Sequence, residues 1–144
     1  MKVLIVFLAM LIVNTTFIVH QGDLNKYVRL QAFLKAVCEE AAAGASLYYD
    51  EEYYSRGLMV INQDEGRKYI DYQVAQAEQN LGIGGMESLT AEIQIVDDIS
   101  GVLESGMSPS VTVTLYLHVK DLFRLPLMNR DQVVRSARYE LVDY

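Results

Sequence analysis

The chain has 144 residues, a net charge of −7 and one cysteine, and its length suits a single domain with a real core. Its 19 acidic residues outnumber 12 basic ones, and no basic stripe is present, which argues against DNA or RNA as a partner. A single cysteine cannot form a disulfide within the chain, and the apolar helical neighbours of Cys38 predict a buried thiol.

The chain opens with an almost uninterrupted apolar run. Val3 to Val19 is 17 residues long, VLIVFLAMLIVNTTFIV, which is at the short end of a helix that spans a bilayer. No small-x-small cleavage site follows, so we expect the mature chain to begin at or near Met1. Lys2 with the amino terminus favours a cytoplasmic start.

This run has three interpretations: a cleaved secretory signal, a plain membrane anchor, or an anchor that later packs among its own copies in a fibre. In the fibre, Asn14, Thr15 and Thr16 would bond to neighbouring helices. The alternative is that the threonines bond back to carbonyls of their own helix.

Apolar and small residues continue at helical spacing beyond the run without a proline, which predicts one long helix from Met1 to Tyr49. Within it, Gln21, Gly22 and Asp23 are the place where a bend is permitted, with Asp23 as the cap if the helix restarts. Apolar residues then recur at helical steps, with one polar exception, at Leu24, Tyr27, Gln31, Leu34, Cys38, Ala41, Ala45 and Tyr48. Together with a second apolar line, this stripe is wider than a helix docked on one small domain needs, which predicts burial against its own head and a second partner. The alternative is that the head alone wraps the helix.

We therefore predict contacts between copies of the first helix. The small residues from Ala41 to Ser46 permit close helix approach, and the apolar run needs an apolar partner. The predicted contact positions are Val3, Phe7, Asn14, Thr15, Thr16, Leu34, Cys38, Ala41 and Ala45.

The middle of the chain predicts a second helix from about Gln63 to Asn80. Asn62 and Glu65 have the spacing of a capping box, and Gly82 is placed to end the helix. Before it, the acidic residues Glu39, Glu40, Asp50, Glu51 and Glu52 predict a solvated face, since no histidine lies near them to suggest acid–base chemistry.

The last third predicts three antiparallel strands, at Thr90 to Val96, Ser110 to Val119 and Val133 to Leu141. Alternation places Val111, Val113, Leu115, Leu117 and Val119 inward and His118 outward, whereas Arg135 interrupts the inner face of the last strand. An apolar excursion from Asp121 to Met128 separates the last two strands, and Asp97 and Asp98 predict a turn rather than a calcium site.

The predicted fold class is α+β: a long N-terminal hydrophobic helix packed on a small antiparallel sheet of about three strands. We expect residues 1–22 to form a transmembrane or filament-core helix. Residues 23–144, including the second half of that helix, would form the head. No set of nucleophile, base and orienting group stands out, so we predict no enzyme, no cofactor and no metal site.

This layout, an apolar helix running into an amphipathic spine and then a small sheet, resembles a type IV pilin or pseudopilin. The tail VTVTLYLHVKDLFRLPLMNRDQVVRSARYE is similar to the end of TadE-like pilus proteins. Mature pilins usually carry Glu at the fifth position and arise from a prepilin with a short polar leader ending in Gly, whereas this sequence has Ile5 and shows no such leader before its apolar run. Either Met1 is the first residue after processing, or the chain is an unprocessed relative.

The resemblance implies a structural subunit of an extracellular filament, held in the membrane by its first helix before assembly. Its partners would be copies of itself, the membrane and pilus assembly machinery, with a cytoplasmic amino terminus and an extracellular head. One alternative is a membrane-anchored minor or assembly component. Another is a secreted binding domain left after signal cleavage.

Overall fold

In the computed structural model, the described residues are 2–82, 88–99, 108–124 and 131–141. They form helices α1 (Lys2–Ser46), α2 (Glu51–Tyr54) and α3 (Gln63–Leu81), followed by strands β1 (Ser88–Val96), β2 (Ser110–His118) and β3 (Gln132–Glu140). A long N-terminal apolar helix thus packs on a three-stranded antiparallel sheet, and the α+β prediction is confirmed.

Helix α1 is one unbroken element of 45 residues. The prediction of one long helix is confirmed: helical structure continues through Gly22, and Asp23 does not cap a restarted helix. Asp23 is instead buried, 2% exposed, and is held by a residue of the loop after β2. The apolar half and the spine are therefore a single rod.

Helix α3 follows the predicted capping pattern closely. The Asn62 side chain accepts a hydrogen bond from the backbone N–H of Glu65 at 3.2 Å, and Gly82 ends the helix in the left-handed conformation, with φ of 63°. The short helix α2 was not predicted, although Asp50 caps it by accepting from the N–H groups of Glu52 and Tyr53. Four residues are too few for an apolar period to be recognised in the sequence.

The sheet is a meander in the order β1-β2-β3. Ser88 pairs with His118 at one end of the first ladder, and Ser110 pairs with Glu140 at the far end of the second. The strand prediction is confirmed, with boundaries shifted by one or two residues. Four side chains of β2 are buried on the inner face, as is that of Val119 just after the strand. The four are Val111, Val113, Leu115 and Leu117.

Both long helices cover the inner face of the sheet. The second half of α1 packs on β2 and β3, and α3 packs on α1 and β1. The extra width of the apolar stripe on α1 is thereby explained within the head, because one flank meets the sheet and the next meets α3. These contacts agree with the alternative that the head alone wraps this half of α1, and a second partner for it stays a prediction.

Small residues let α1 and α3 approach closely. A Cβ atom added to Gly44 would overlap the ring of Tyr69, and one added to Gly66 would lie 3.7 Å from the Cβ of Ala45. The run of small residues predicted a close contact with another helix, and within the chain that helix is α3.

Candidate functional site

The projecting half of α1, residues 2–22, carries the most distinctive surface of the chain. Every residue from Lys2 to Thr15 is exposed, and the large apolar side chains there include Val3 at 83% and Phe7 at 62% exposure. By length and composition α1 is apolar enough to cross a membrane, and none of the qualifying window is buried in the chain. Core helices of soluble proteins and N-terminal signal sequences pass the same test; the bare surface of this segment separates it from core helices, which are mostly buried.

The polar residues of the projecting half are only partly satisfied. Thr15 and Thr16 donate from Oγ1 to the carbonyls of Leu11 and Ile12, each at 2.8 Å, so the back-bonding alternative describes both threonines. Asn14 is exposed, and its side chain has no hydrogen-bond partner among the residues that the structure describes. Of the three, Asn14 alone retains a full set of donors and an acceptor for a neighbour.

A clamp holds α1 where the projecting half meets the head. The Asp23 carboxylate accepts a hydrogen bond from the backbone N–H of Arg124 at 3.0 Å and pairs with its guanidinium Nε at 3.2 Å. The ring of Phe123 lies 5.8 Å from that of Tyr27 and 6.5 Å from that of His20. Leu122, beside Phe123, is buried as well. The described start of the excursion after β2 therefore holds α1 at this point through Phe123 and Arg124.

Leu125 and Leu127, which were predicted to belong to the same excursion, lie outside the described residues.

The nine predicted contact positions separate into two groups. Val3, Phe7, Asn14, Thr15 and Thr16 lie on the projecting half and leave surface for a neighbour. The other four have 0% exposure in the core of the head, where the same chain already covers them: Leu34, Cys38, Ala41 and Ala45. A side chain without exposed surface in the folded head cannot contact a second chain.

Cys38 is the buried thiol that its neighbours predicted. Its Sγ donates to the carbonyl of Arg135 at 3.2 Å, and burial raises the pKa of the thiol to about 11. The thiol is therefore neutral at physiological pH and sheltered from reagents.

The two polar interruptions noted in the sequence meet in the structure. Gln31 breaks the apolar line of α1 and Arg135 breaks the inner face of β3; the Arg135 guanidinium donates from Nη2 to Gln31 Oε1 at 2.6 Å. Arg135 Nε is buried and has no partner within the described part of the chain. The sequence contained a signal for this pair. Gln31 is the polar residue on the apolar line of α1, Arg135 is the polar residue on the inner face of β3, and these two surfaces were predicted to face each other.

Replacing Gln31 by Leu should lower the free energy of unfolding by about 1–3 kcal/mol, because the buried guanidinium then loses its acceptor. Adding Arg135→Leu should return stability to within about 1 kcal/mol of the original, since an apolar pair replaces a half-satisfied polar one. Denaturant unfolding of the full chain in mild detergent measures both. Arg138→Leu, on the exposed face of the same strand, is the control and should change little; a double variant as unstable as the single one would contradict this account.

Acidic residues gather at the end of the head away from the projecting half. Glu39, Glu40, Glu51 and Glu52 are exposed, as the solvated-face prediction requires, and Asp50 caps α2. The described residues contain no group of three or more His, Cys, Asp or Glu side chains arranged to hold a metal ion.

Two aspartates after β1 tie the loop before α3 to the sheet. Asp97 Oδ1 accepts from the N–H of Ile99 at 3.1 Å, which is the predicted turn. Its Oδ2 accepts from Ile61 N–H at 3.2 Å, and Asp98 Oδ2 accepts from Met59 N–H at 2.6 Å. Sequence reasoning missed these two long-range contacts.

His118 is exposed at the end of β2, as predicted, with Nε2 at 3.3 Å from Gln132 Nε2.

No protein-family model matches the chain, and neither a curated protein nor a solved structure is significantly similar to it.

Proposed function

We propose that this chain is a non-enzymatic structural subunit of a pilus-like extracellular filament, held in the membrane by the projecting half of α1 before assembly. The observation that carries the proposal is that one unbroken helix leaves its apolar half bare while its other half forms the spine of the head. In water that bare surface would be strongly unfavourable, so it requires lipid or the apolar helices of other copies around it.

The clamp at Asp23 favours a filament subunit over a simple anchor. A simple anchor needs only apolar length, and a flexible linker between anchor and head would serve it equally well. Here the Asp23–Arg124 pair and the contact of Phe123 with Tyr27 fix the head relative to the rod. A fixed relation is what identical copies need in order to repeat with one geometry.

In this proposal the amino terminus is cytoplasmic and the head is extracellular. Copies would contact one another through the projecting half, at positions that include Val3, Phe7 and Asn14, and assembly machinery would move the subunit from membrane to filament. Asn14 gains partners from a neighbouring helix, because hydrocarbon offers its amide no hydrogen bond.

The second candidate function is a membrane-anchored minor or assembly component that never forms the bulk of a fibre. One observation favours it: burial of Ala41 and Ala45 in the head leaves less helix surface for self-contact than the sequence predicted. Imaging of filaments distinguishes the two functions.

The test uses the full chain in its own host. We expect intact-mass measurement to give a chain that starts at or near Met1, present in the membrane fraction and in sheared filaments labelled by an antibody to the head. Leu8→Lys with Ile12→Lys should move the protein to the soluble fraction, since each lysine in a span costs about 2.5–3.5 kcal/mol. Both side chains are 57% exposed, so the head should stay folded.

The matched control is Leu8→Ile with Ile12→Leu, which keeps the apolar character and should leave the location unchanged. A mature chain that starts after His20 would contradict the anchor and favour the secreted binding domain. Anchored protein without filaments under any growth condition would favour the minor component.

A further inference from the structure

Two grooves of similar size and opposite charge lie at opposite ends of the head. The base groove, about 410 Å³, lies beside the projecting half, and its lining includes the exposed Lys26, Arg29 and Asn80 together with the half-buried Leu30 and Phe33. Both cations are exposed, and neither takes part in an ion pair within the described ranges. No carboxylate is among the described residues that line the groove.

The tip groove, about 360 Å³, lies where α1 ends and α2 begins. Four carboxylates line it, at Asp50, Glu51, Glu52 and Glu65, with the rings of Tyr48 and Tyr49. Glu52 and Glu65 are paired with Arg56 and Lys68, whereas Glu51 has no ion pair among the described residues. No cation is among its described lining residues.

The tyrosine rings give the tip groove an apolar component as well as charge. Tyr48 and Tyr49 are 39% and 42% exposed, and their rings lie 5.8 Å and 5.1 Å from those of Tyr69 and Tyr54. Both pairs are tilted, at 45° and 47° between ring planes, and exposed tyrosine rings attract cations at their faces and pack against aliphatic side chains. The tip therefore complements the base groove in both respects, since the base offers cations above a leucine and a phenylalanine.

We propose that the exposed acidic side chains at the tip groove of one copy contact the exposed cations at the base groove of the next copy, so that Glu51 meets Lys26 and Arg29 of its neighbour. This inference rests on the proposed filament function and names the contact between heads. The two patches differ, so the contact is heterologous and produces an open chain of copies rather than a closed dimer. From Lys26 to the end of α1 at Ser46 is 20 residues, so successive copies are staggered by roughly 30 Å, which is about the length of the projecting half. The contacts between projecting halves are therefore made with copies outside this head-to-tail row.

The position of the base groove permits this stagger. It lies on the flank of α1, between α1 and the end of α3, rather than across the axis of the rod. A neighbour docked there can therefore keep its own α1 parallel to the projecting half. In a bilayer all copies lie at one depth, so the contact forms only when subunits leave the membrane for the filament.

Site-directed cross-linking tests the contact. The chain carrying Arg29→Cys and Glu51→Cys is treated with a short bifunctional maleimide in sheared filaments and, separately, in membranes. The native Cys38 is fully buried, so it should not react with the maleimide or contribute cross-linked products of its own. We expect a ladder of multimers from filaments and none from membranes. The control pair, Gln94→Cys with Glu51→Cys, places one cysteine on the exposed face of β1 and should give no ladder.

Charge reversal gives an independent measurement. Arg29→Glu and Glu51→Arg, each alone, should reduce the yield of filaments roughly tenfold, and the double variant should recover most of the loss. Both side chains are exposed and both replacements are tolerated in helices, so circular dichroism of the single variants should match that of the original chain.

Each outcome decides one claim. Filaments without the ladder, or with the ladder equally strong in membranes, would overturn the head-to-tail contact and leave the filament function intact. Single variants that retain filaments but lose affinity for vesicles of anionic phospholipid would overturn it in favour of a lipid-binding base groove. Absence of filaments from the unmutated chain would overturn the function and this contact together.

Discussion

Leu115→Asp is expected to destabilise the head by at least about 4 kcal/mol and to lower its Tm by roughly 10 °C or more. Leu115 is 0% exposed, at the centre of β2 on the face covered by α1. An aspartate there loses the packing of the leucine and buries a carboxylate, and the pairing partner across the ladder is Arg135, whose guanidinium already bonds to Gln31.

The matched control for this strand is Thr112→Asp. Thr112 lies on the outer face of β2 and pairs with Arg138, so the new carboxylate stays solvated beside a cation. Thr114 is a poorer control, because it pairs with Glu92 and an aspartate there would add repulsion across the strands. Thermal unfolding of the full chain in mild detergent, followed by the near-ultraviolet circular dichroism of its tyrosines, measures both variants. Equal losses at positions 112 and 115 would contradict the assigned faces.

Regular periodicity made most of the fold predictable. The alternation in β2 and the capping residues of α3 are local signals, and the structure follows them because burial of one face fixes the register of a strand. The long helix α1 was predicted as well, although Gly22 and Asp23 favour a helix end in isolation. The contact that overrides this preference comes from Arg124, 101 residues further along the chain.

The apolar projecting half of the candidate site could be predicted from the sequence, whereas the partner of the small residues Ala41 and Ala45 could not. An apolar run such as Val3 to Val19 marks itself by composition, and the structure leaves it bare. The small residues Ala41 and Ala45 indicate only that some helix approaches closely. Whether that helix belongs to the same chain or to another copy depends on where α3 packs, which no local pattern encodes.

Replacing Ala41 and Ala45 together by Leu is therefore expected to destabilise the head itself, by roughly 3–5 kcal/mol. Both residues have 0% exposure, and the Cβ of Ala45 faces Gly66 of α3 across the helix contact. Extra methylene groups at these positions would push α3 away from α1 and loosen the cover over β1. Filaments should be lost as well, as a consequence of the damaged head and not of a blocked contact between copies.

The control for this pair lies on the same helix at the same spacing. Ala32 and Ala36 are exposed, so Ala32→Leu with Ala36→Leu adds the same volume and should change the free energy of unfolding by less than about 0.5 kcal/mol. Denaturant unfolding of the full chain in detergent separates the two possible roles of the small residues. A head of normal stability in the Ala41→Leu, Ala45→Leu variant, together with lost filaments, would contradict the packing described here. It would return these two alanines to an interface between copies, since only a neighbouring chain could then be sensitive to their size.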